Sequence, residues 1–280
     1  MNQAYIELQL QLHNTDPSFI IAELNEWGFS GFDETEDLLK AYIEQSIWSN
    51  VQTELKRFLA SLPELTIVAE QIIQQKNWNE EWEKSIQPQV IGPFYVYPSW
   101  NKKVIPTASI PLMIDPKMAF GTGTHETTRL LLSWLPSVVK KMDTVLDAGT
   151  GTGILGIAAS KLGASSIEGF DSDPWSVENV AENIEKNEVV NFKAHFGSME
   201  QINPAQKFDV ILANINTVAL RELVPVFKKY LKQDGSLLLS GLLSIDIDLF
   251  TDQVIRDEFT IRKKNELGEW SALWLKPVVY

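Results

Sequence analysis

The stretch "TVLDAGTGTGILGIAASKLGA", residues 144–164, constrains the fold more than any other part of the chain. An apolar run feeds directly into three alternating glycines, Gly149, Gly151 and Gly153, and these open a helical pattern. A buried strand, a tight turn and a helix in that order form the unit of an α/β domain built on a mainly parallel sheet. Glycine lets the backbone come close to a ligand, and the helix N-terminus offers free N–H groups to an anionic end. The loop reads as a pocket for a nucleotide or nucleoside, although alone it is a weak signal, because strand-to-helix turns need glycine for steric reasons too.

The next strand-like run, "SIEGFD", ends on Asp171. An acid at the end of that strand, roughly 20 residues after the glycines, is where a carboxylate holds ribose hydroxyls. A nicotinamide-type fingerprint, G-x-G-x-x-G, would put its third glycine at 154, where this chain has Ile154. The spacing favours S-adenosylmethionine as the ribose-bearing ligand.

The rest of residues 93–280 extends the same pattern. Strands are predicted at 190–196, 208–215 and 235–243, and helices at 175–187, 217–231 and 248–259, with "FTIRKKNELGEWSALWLKP" as an antiparallel hairpin on the sheet edge. Upstream lies a second glycine-threonine loop, in "IDPKMAFGTGTHETTRLLLSWL". Gly121 and Gly123 permit tight turns, and Thr122, Thr124, Thr127 and Thr128 offer hydroxyls. Thr127 or Thr128 would also serve as the N-cap of the helix that follows.

Residues 1–73 alternate differently, as strand 4–12, helix 17–29, strands 31–37 and 38–44, helix 49–63 and strand 65–72. This β-α-β-β-α-β order predicts an α+β, ferredoxin-like domain. Residues 74–92, with Trp78 and Trp82 one helical turn apart, read as a linker helix.

Charge points to the kind of partner. The net charge is −13, and residues 1–73 hold twelve acidic side chains against three basic ones, nine of those net negative charges. Gripping a phosphate backbone needs the opposite sign, so a basic protein is a better partner than a nucleic acid. The chain has no cysteine and three scattered histidines, His13, His125 and His195, so neither disulfides nor a metal site is expected. With no apolar run of about 20 residues and no signal-like N-terminus, a soluble, cytoplasmic protein without a membrane role is expected.

"DAGTGTGILGIAASKLGA", "GFDSDPWSVENVAENIEKN" and "FDVILANIN" resemble the motifs of class I S-adenosylmethionine-dependent methyltransferases, which have a Rossmann-like fold. More narrowly, "IDPKMAFGTGTHETT", "ANI", "LLSGLL" and "GEW" resemble the family that methylates ribosomal protein L11 of the bacterial large subunit. The match covers residues 76–275, and residues 1–73 match in position and predicted topology rather than in motif.

The resemblance implies methyl transfer to lysine side chains and an N-terminal α-amine of L11, free or assembled in the subunit, with residues 1–73 as the substrate-recognition domain. It leaves open a methyltransferase of another basic protein, or a catalytically silent S-adenosylmethionine-binding module that docks on the ribosome. It places cofactor contacts at Thr128, Gly149, Asp171 and Asn214, to which the glycine loop adds Gly151. In that family the loop containing Gly121 folds over the cofactor, so two loops would bracket one ligand. Glu126 stands where the commonest version of the loop has proline, and His125 has a positioning role or acts as a base. "ANIN" lacks the Asn/Asp-Pro-Pro-aromatic run of enzymes that grip planar amides or bases, so the acceptor is an aliphatic amine. No residue presents itself as a general base, and the catalytic residue is unknown from sequence.

Overall fold

A computed structural model of the chain describes residues 4–13, 16–35, 37–62, 65–74, 86–117 and 119–278. The chain divides into two compact units, Met1–Trp78 and Asn79–Tyr280. Most of the expected linker helix, including Trp78 and Trp82, lies outside the described residues. Its last part is not helical, because Gln89–Ile91 is a strand (β5). Pro88 precedes that strand, and Gly92, with φ +56°, turns it directly into the next.

The first unit consists of β1 (Ala4–Leu12), α1 (Pro17–Glu26), β2 (Gly31–Glu34), β3 (Leu38–Glu44), α2 (Gln45–Ala60) and β4 (Leu65–Gln74). Its sheet runs β2-β3-β1-β4 with all pairs antiparallel, the ferredoxin-like arrangement. Alternation along β1 sends Ile6, Leu8, Leu10 and Leu12 into a core with Ile20 and Leu24 of α1 and Trp48, Leu55 and Leu59 of α2. Asp16 caps α1 by accepting the Ser18 N–H at 2.8 Å, with Pro17 in the first helical turn. The second helix starts at Gln45 rather than at the expected residue 49. Trp48 extends its buried face by one turn and donates Nε1 to Glu70 at 3.0 Å.

In the second unit, β8 (Thr144–Ala148), β9 (Ser166–Asp171), β10 (Phe192–Phe196), β11 (Phe208–Asn214), β12 (Leu231–Leu243), β13 (Phe259–Leu267) and β14 (Trp270–Pro277) form one sheet. The order is β10-β9-β8-β11-β12-β14-β13, parallel from β10 to β12, with β14 antiparallel to both of its neighbours. The expected hairpin is thus present on the sheet edge. Helices α3 (Glu126–Val138), α4 (Ile154–Lys161), α5 (Pro174–Lys186) and α6 (Thr217–Tyr230) accompany it. The helix predicted at 248–259 is broken into a short α7 (Ile247–Phe250) and a π turn, Thr251–Ile255.

The central strands of this sheet are buried on both faces, which is why β8, β11 and the second half of β12 read as apolar runs. Val145, Val210 and Leu212 point into one core with Leu131, Trp134 and Ile157, while Leu146, Ile211 and Ala213 point into the other with Phe227 and Phe250. A separate sheet of β5, β6 (Phe94–Tyr97) and β7 (Ile110–Met113) was not anticipated. Chain order runs outward from β8 to β10 on one side and then resumes at β11 on the other, so the carboxyl ends of β8 and β11 meet at a topological switch point, where α/β sheets open a ligand crevice.

Candidate active site

The glycine loop leaves β8 at that switch point. Gly149 and Gly151 have φ of +69° and +53°. A Cβ on Gly149 would lie 2.2 Å from Ile215 Cγ2, and one on Gly151 would lie 2.3 Å from the Phe120 carbonyl oxygen. Neither position admits a side chain. The loop is pinned to the end of β9, where Gly149 N and Thr150 N donate to Phe170 O and Gly151 N donates to Asp171 Oδ2 at 2.8 Å.

Asp147, inside β8, holds the loop from below and was not singled out from the sequence. It is 1% exposed, and its Oδ2 accepts from Thr150 Oγ1 at 2.9 Å and from Gly156 N at 3.0 Å. Burial pushes its carboxyl up to about 7, against the lowering effect of those two hydrogen bonds and with a further upward push from the Asp171 charge. The available signal was an acid inside an otherwise apolar strand.

The first glycine-threonine loop packs on the second. Thr152 N donates to Phe120 O at 2.9 Å, and Thr152 Oγ1 donates to Gly121 O at 2.7 Å. The helix that follows is capped by His125, whose Nδ1 accepts the Thr127 N–H at 3.3 Å. Thr127 and Thr128, expected as caps, are buried inside α3 instead. Glu126 occupies the first helical position, where either a proline or an acid is favourable. Thr122 and Thr124 hydrogen-bond to each other, and Thr127 Oγ1 lies 2.8 Å from His125 Nδ1.

A ladder of asparagines on α5 fastens the approach to this loop. Asn183 Oδ1 accepts from Asp115 N at 3.0 Å, and its Nδ2 donates to Asp115 O at 3.2 Å and to Thr152 O at 2.9 Å. Asn179 donates to Asp115 O, and Asn187 makes a matching pair with Met113 N and O. Asp115 is held below the usual carboxylate range, because burial, which would raise it, is outweighed by Lys186 Nζ at 2.7 Å and by Ser99.

Gly149, Gly151, Asp171 and Asn214 line one cavity of about 500 Å³, together with Phe120. Thr128 is not on its wall. It is fully buried and accepts from Asn214 Nδ2 at 3.2 Å, which sets the orientation of that amide. Asn214 Oδ1 is buried with no partner among the described residues. A second cavity of about 250 Å³ adjoins the first, sharing Phe120, Asn214, Ile215 and Asn216, and adds His125 and Trp270.

His195 lies apart from both cavities, 2.7 Å from Glu168 on the neighbouring strand. A larger cavity, about 750 Å³, opens at the amino ends of β11 and β12, but Lys207, Lys232 and Lys276 on its wall face Asp209 or backbone carbonyls, and it has no glycine loop. The described residues contain no group of His, Asp and Glu able to hold a metal ion, and none of their helices is long and apolar enough to cross a membrane.

A parallel sheet with an antiparallel strand slotted in beside its edge, and a glycine crevice at its switch point, is the class I methyltransferase fold. The family described as ribosomal protein L11 methyltransferase (PrmA) matches residues 17–277. The ribosomal protein L11 methyltransferase of Porphyromonas gingivalis is 37% identical over 260 residues, 91% of this chain and 89% of its own length. That of Chlorobaculum parvum is 32% identical over 283 residues, 98% and 96% of the two chains. The crystal structure of ribosomal protein L11 methylase from Lactobacillus delbrueckii subsp. bulgaricus is similar with a TM-score of 0.64 at 29% identity, covering 69% of this chain and 99% of that one. The chain belongs to the ribosomal protein L11 methyltransferase family.

Proposed function

We propose that this protein transfers methyl groups from S-adenosylmethionine to amines of ribosomal protein L11, on lysine side chains and the N-terminal α-amine, in the cytoplasm. The observation that carries the reading is the glycine cavity with Asp171 on its wall and the unpaired Asn214 Oδ1 beside it. These residues fit the donor. Bare backbone at Gly149 and Gly151 permits close approach, and Asp171 retains free lone pairs for ribose hydroxyls after accepting from Gly151 N and Asp173 N. Thr128 accepts from Asn214 Nδ2 and fixes that amide on the wall of the cavity.

When bound, S-adenosylmethionine supplies an electrophilic methyl on a sulfonium, which leaves as a neutral thioether once an amine nitrogen has taken the methyl. The chain's own contribution is enclosure and alignment: Phe120 and the loop tied to Thr152 cover the cavity and exclude water. An α-amine, with a pKa of about 8, is readily deprotonated, whereas lysine, at about 10.4, must shed its proton through desolvation at the site. The first unit, with most of the net negative charge, recruits the basic substrate.

The test is mass spectrometry of purified L11 after incubation with the protein and S-adenosylmethionine, with Asp171→Ala in parallel. Mass gains in steps of one methylene, lost in the variant, are expected. No gain with S-adenosylmethionine binding intact would remove L11 as the substrate and leave other basic proteins to be tried.

A further inference from the structure

We propose that the cavity of about 750 Å³ at the amino ends of β11 and β12 binds a free nucleoside phosphate, with its phosphates on Lys140 and Lys276 and its base against Trp274. This site lies at the opposite end of the sheet from the glycine cavity, and the proposal does not rest on the methyl-transfer reading.

Four lysines and three aspartates line the cavity, a local excess of positive charge in a chain whose net charge is −13. Among the described residues, Lys232 alone of these lysines has a carboxylate in salt-bridge range, that of Asp209 at 2.7 Å. Lys207 and Lys276 donate instead to the backbone carbonyls of Lys229 and Asp234, which satisfy a hydrogen bond without neutralising the charge. The Lys140 ammonium has no hydrogen-bond or ion-pair partner among the described residues. Lys276 is half-buried, and burial, the Lys140 charge and then Arg262 hold its pKa below the ordinary lysine value against the opposing pull of Asp234 and Asp143. Cations that repel one another on a partly desolvated wall are stabilised when an anion joins them.

Two further features select a nucleoside phosphate over a bare anion. Trp274 and Lys276 are two residues apart on β14 and project from the same face, and Trp274 Nε1 donates to Ser236 Oγ at 3.2 Å, which fixes the ring. A half-buried indole beside lysines offers a stacking surface for a base next to charge for its phosphates. The second feature is the pair of carboxylates. That of Asp234 has no hydrogen-bond or ion-pair partner among the described residues, and that of Asp143 accepts from Lys140 N at 2.8 Å. Both repel inorganic phosphate, but both accept hydrogen bonds from ribose hydroxyls and base amino groups. The cavity falls within the roughly 300–1,000 Å³ of small-molecule pockets. A long nucleic-acid strand would run beyond this wall onto a chain of the wrong net charge.

The test is calorimetry on the full-length protein with guanosine triphosphate, inorganic triphosphate and a single-stranded oligouridylate, each with and without excess S-adenosylhomocysteine. Guanosine triphosphate is expected to bind about tenfold more tightly than inorganic triphosphate, and equally well when S-adenosylhomocysteine is present. Lys140→Gln and Lys276→Gln each weaken it about tenfold, while Lys102→Gln, on a loop that does not line the cavity, leaves it unchanged. Trp274→Leu lowers its affinity to that of inorganic triphosphate. Lys140 is exposed, so its variant keeps the test readable should a change at Lys276 or Trp274 disturb folding. Absence of binding at millimolar nucleotide would overturn the proposal, as would full affinity in Lys140→Gln. Displacement by S-adenosylhomocysteine would overturn it too, by placing the nucleotide in the glycine cavity, and tighter binding of the oligouridylate would replace the free nucleotide with an RNA strand.

Discussion

Thr152 Oγ1 donates a 2.7 Å hydrogen bond to Gly121 O and thereby ties together two glycine-threonine loops 31 residues apart. The loops act as one piece, and a Cβ on Gly121 would lie 2.8 Å from that same oxygen. Thr152→Val keeps the shape but leaves the Gly121 carbonyl without its donor, at a cost of about 1–3 kcal/mol. Binding of S-adenosylhomocysteine is expected to weaken about tenfold, with faster amide exchange over residues 119–125. Unchanged affinity would mean that the first loop plays no part in holding the donor.

Asp171 accepts the Gly151 N–H, and the proposed function gives it a second task, holding the donor's ribose. Removing a charged hydrogen-bond acceptor costs about 1.5–3 kcal/mol, so Asp171→Ala should weaken donor binding about 10- to 100-fold. A double-mutant cycle separates the tasks. If the carboxylate holds the ribose, Asp171→Ala weakens binding of a dideoxyribose analogue less than binding of S-adenosylhomocysteine, the remaining loss coming from the freed Gly151 N–H, and additive losses would argue against that contact.

Asp147 predicts a pH dependence of stability. Its carboxyl, raised to about 7 in the folded protein from 3.8, favours the protonated folded state. Its contribution is full below about pH 4 and is lost as the pH rises to 7, a loss of a few kcal/mol. Asp147→Asn removes the titration while keeping a carbonyl acceptor. The melting temperature of the variant minus that of the wild type should therefore rise between pH 5 and pH 8, and a flat difference would contradict the raised value.

Asn183 joins α5 to both Asp115 and Thr152. Asn183→Ala strands buried backbone groups at about 1–3 kcal/mol each. A loss of about 3 kcal/mol in urea unfolding is expected, with exchange increased at residues 113–116. A loss below about 1 kcal/mol would show that water replaces the ladder.

What could be read in the sequence follows from what each element packs against. Strands β8, β9, β11 and β12 are buried on both faces and so announce themselves as apolar runs, and Gly149, Gly151 and Asp171 follow from their ends. The sheet of β5 to β7 escaped notice because its strands are three or four residues long and one contains Pro111, tolerated at the sheet's edge. The start of α2 depends on Trp48 reaching Glu70, 22 residues away, which local pattern does not encode. Asn179, Asn183 and Asn187 recur every four residues, a spacing that looks like a solvated helix face until their partners, Asp115 and Met113 at least 64 residues away and Thr152 31 residues away, are in place. Threonine is a better N-cap than histidine by preference alone, yet burial of Thr127 and Thr128 moves the helix start to His125.

The position of β14 has a consequence for synthesis. It is made after β13 yet lies between β12 and β13, and among the described residues β13 pairs with nothing else. A nascent chain that has reached Leu267 already carries the whole glycine loop, Asp171 and Asn214. It still lacks Trp270, the neighbour that β13 needs, and the core residues Leu273 and Leu275. A chain that stops short of Trp270 leaves β13 without the strand it pairs with and one face of the sheet without Leu273 and Leu275, so the sheet closes only once residues 270–277 have been made.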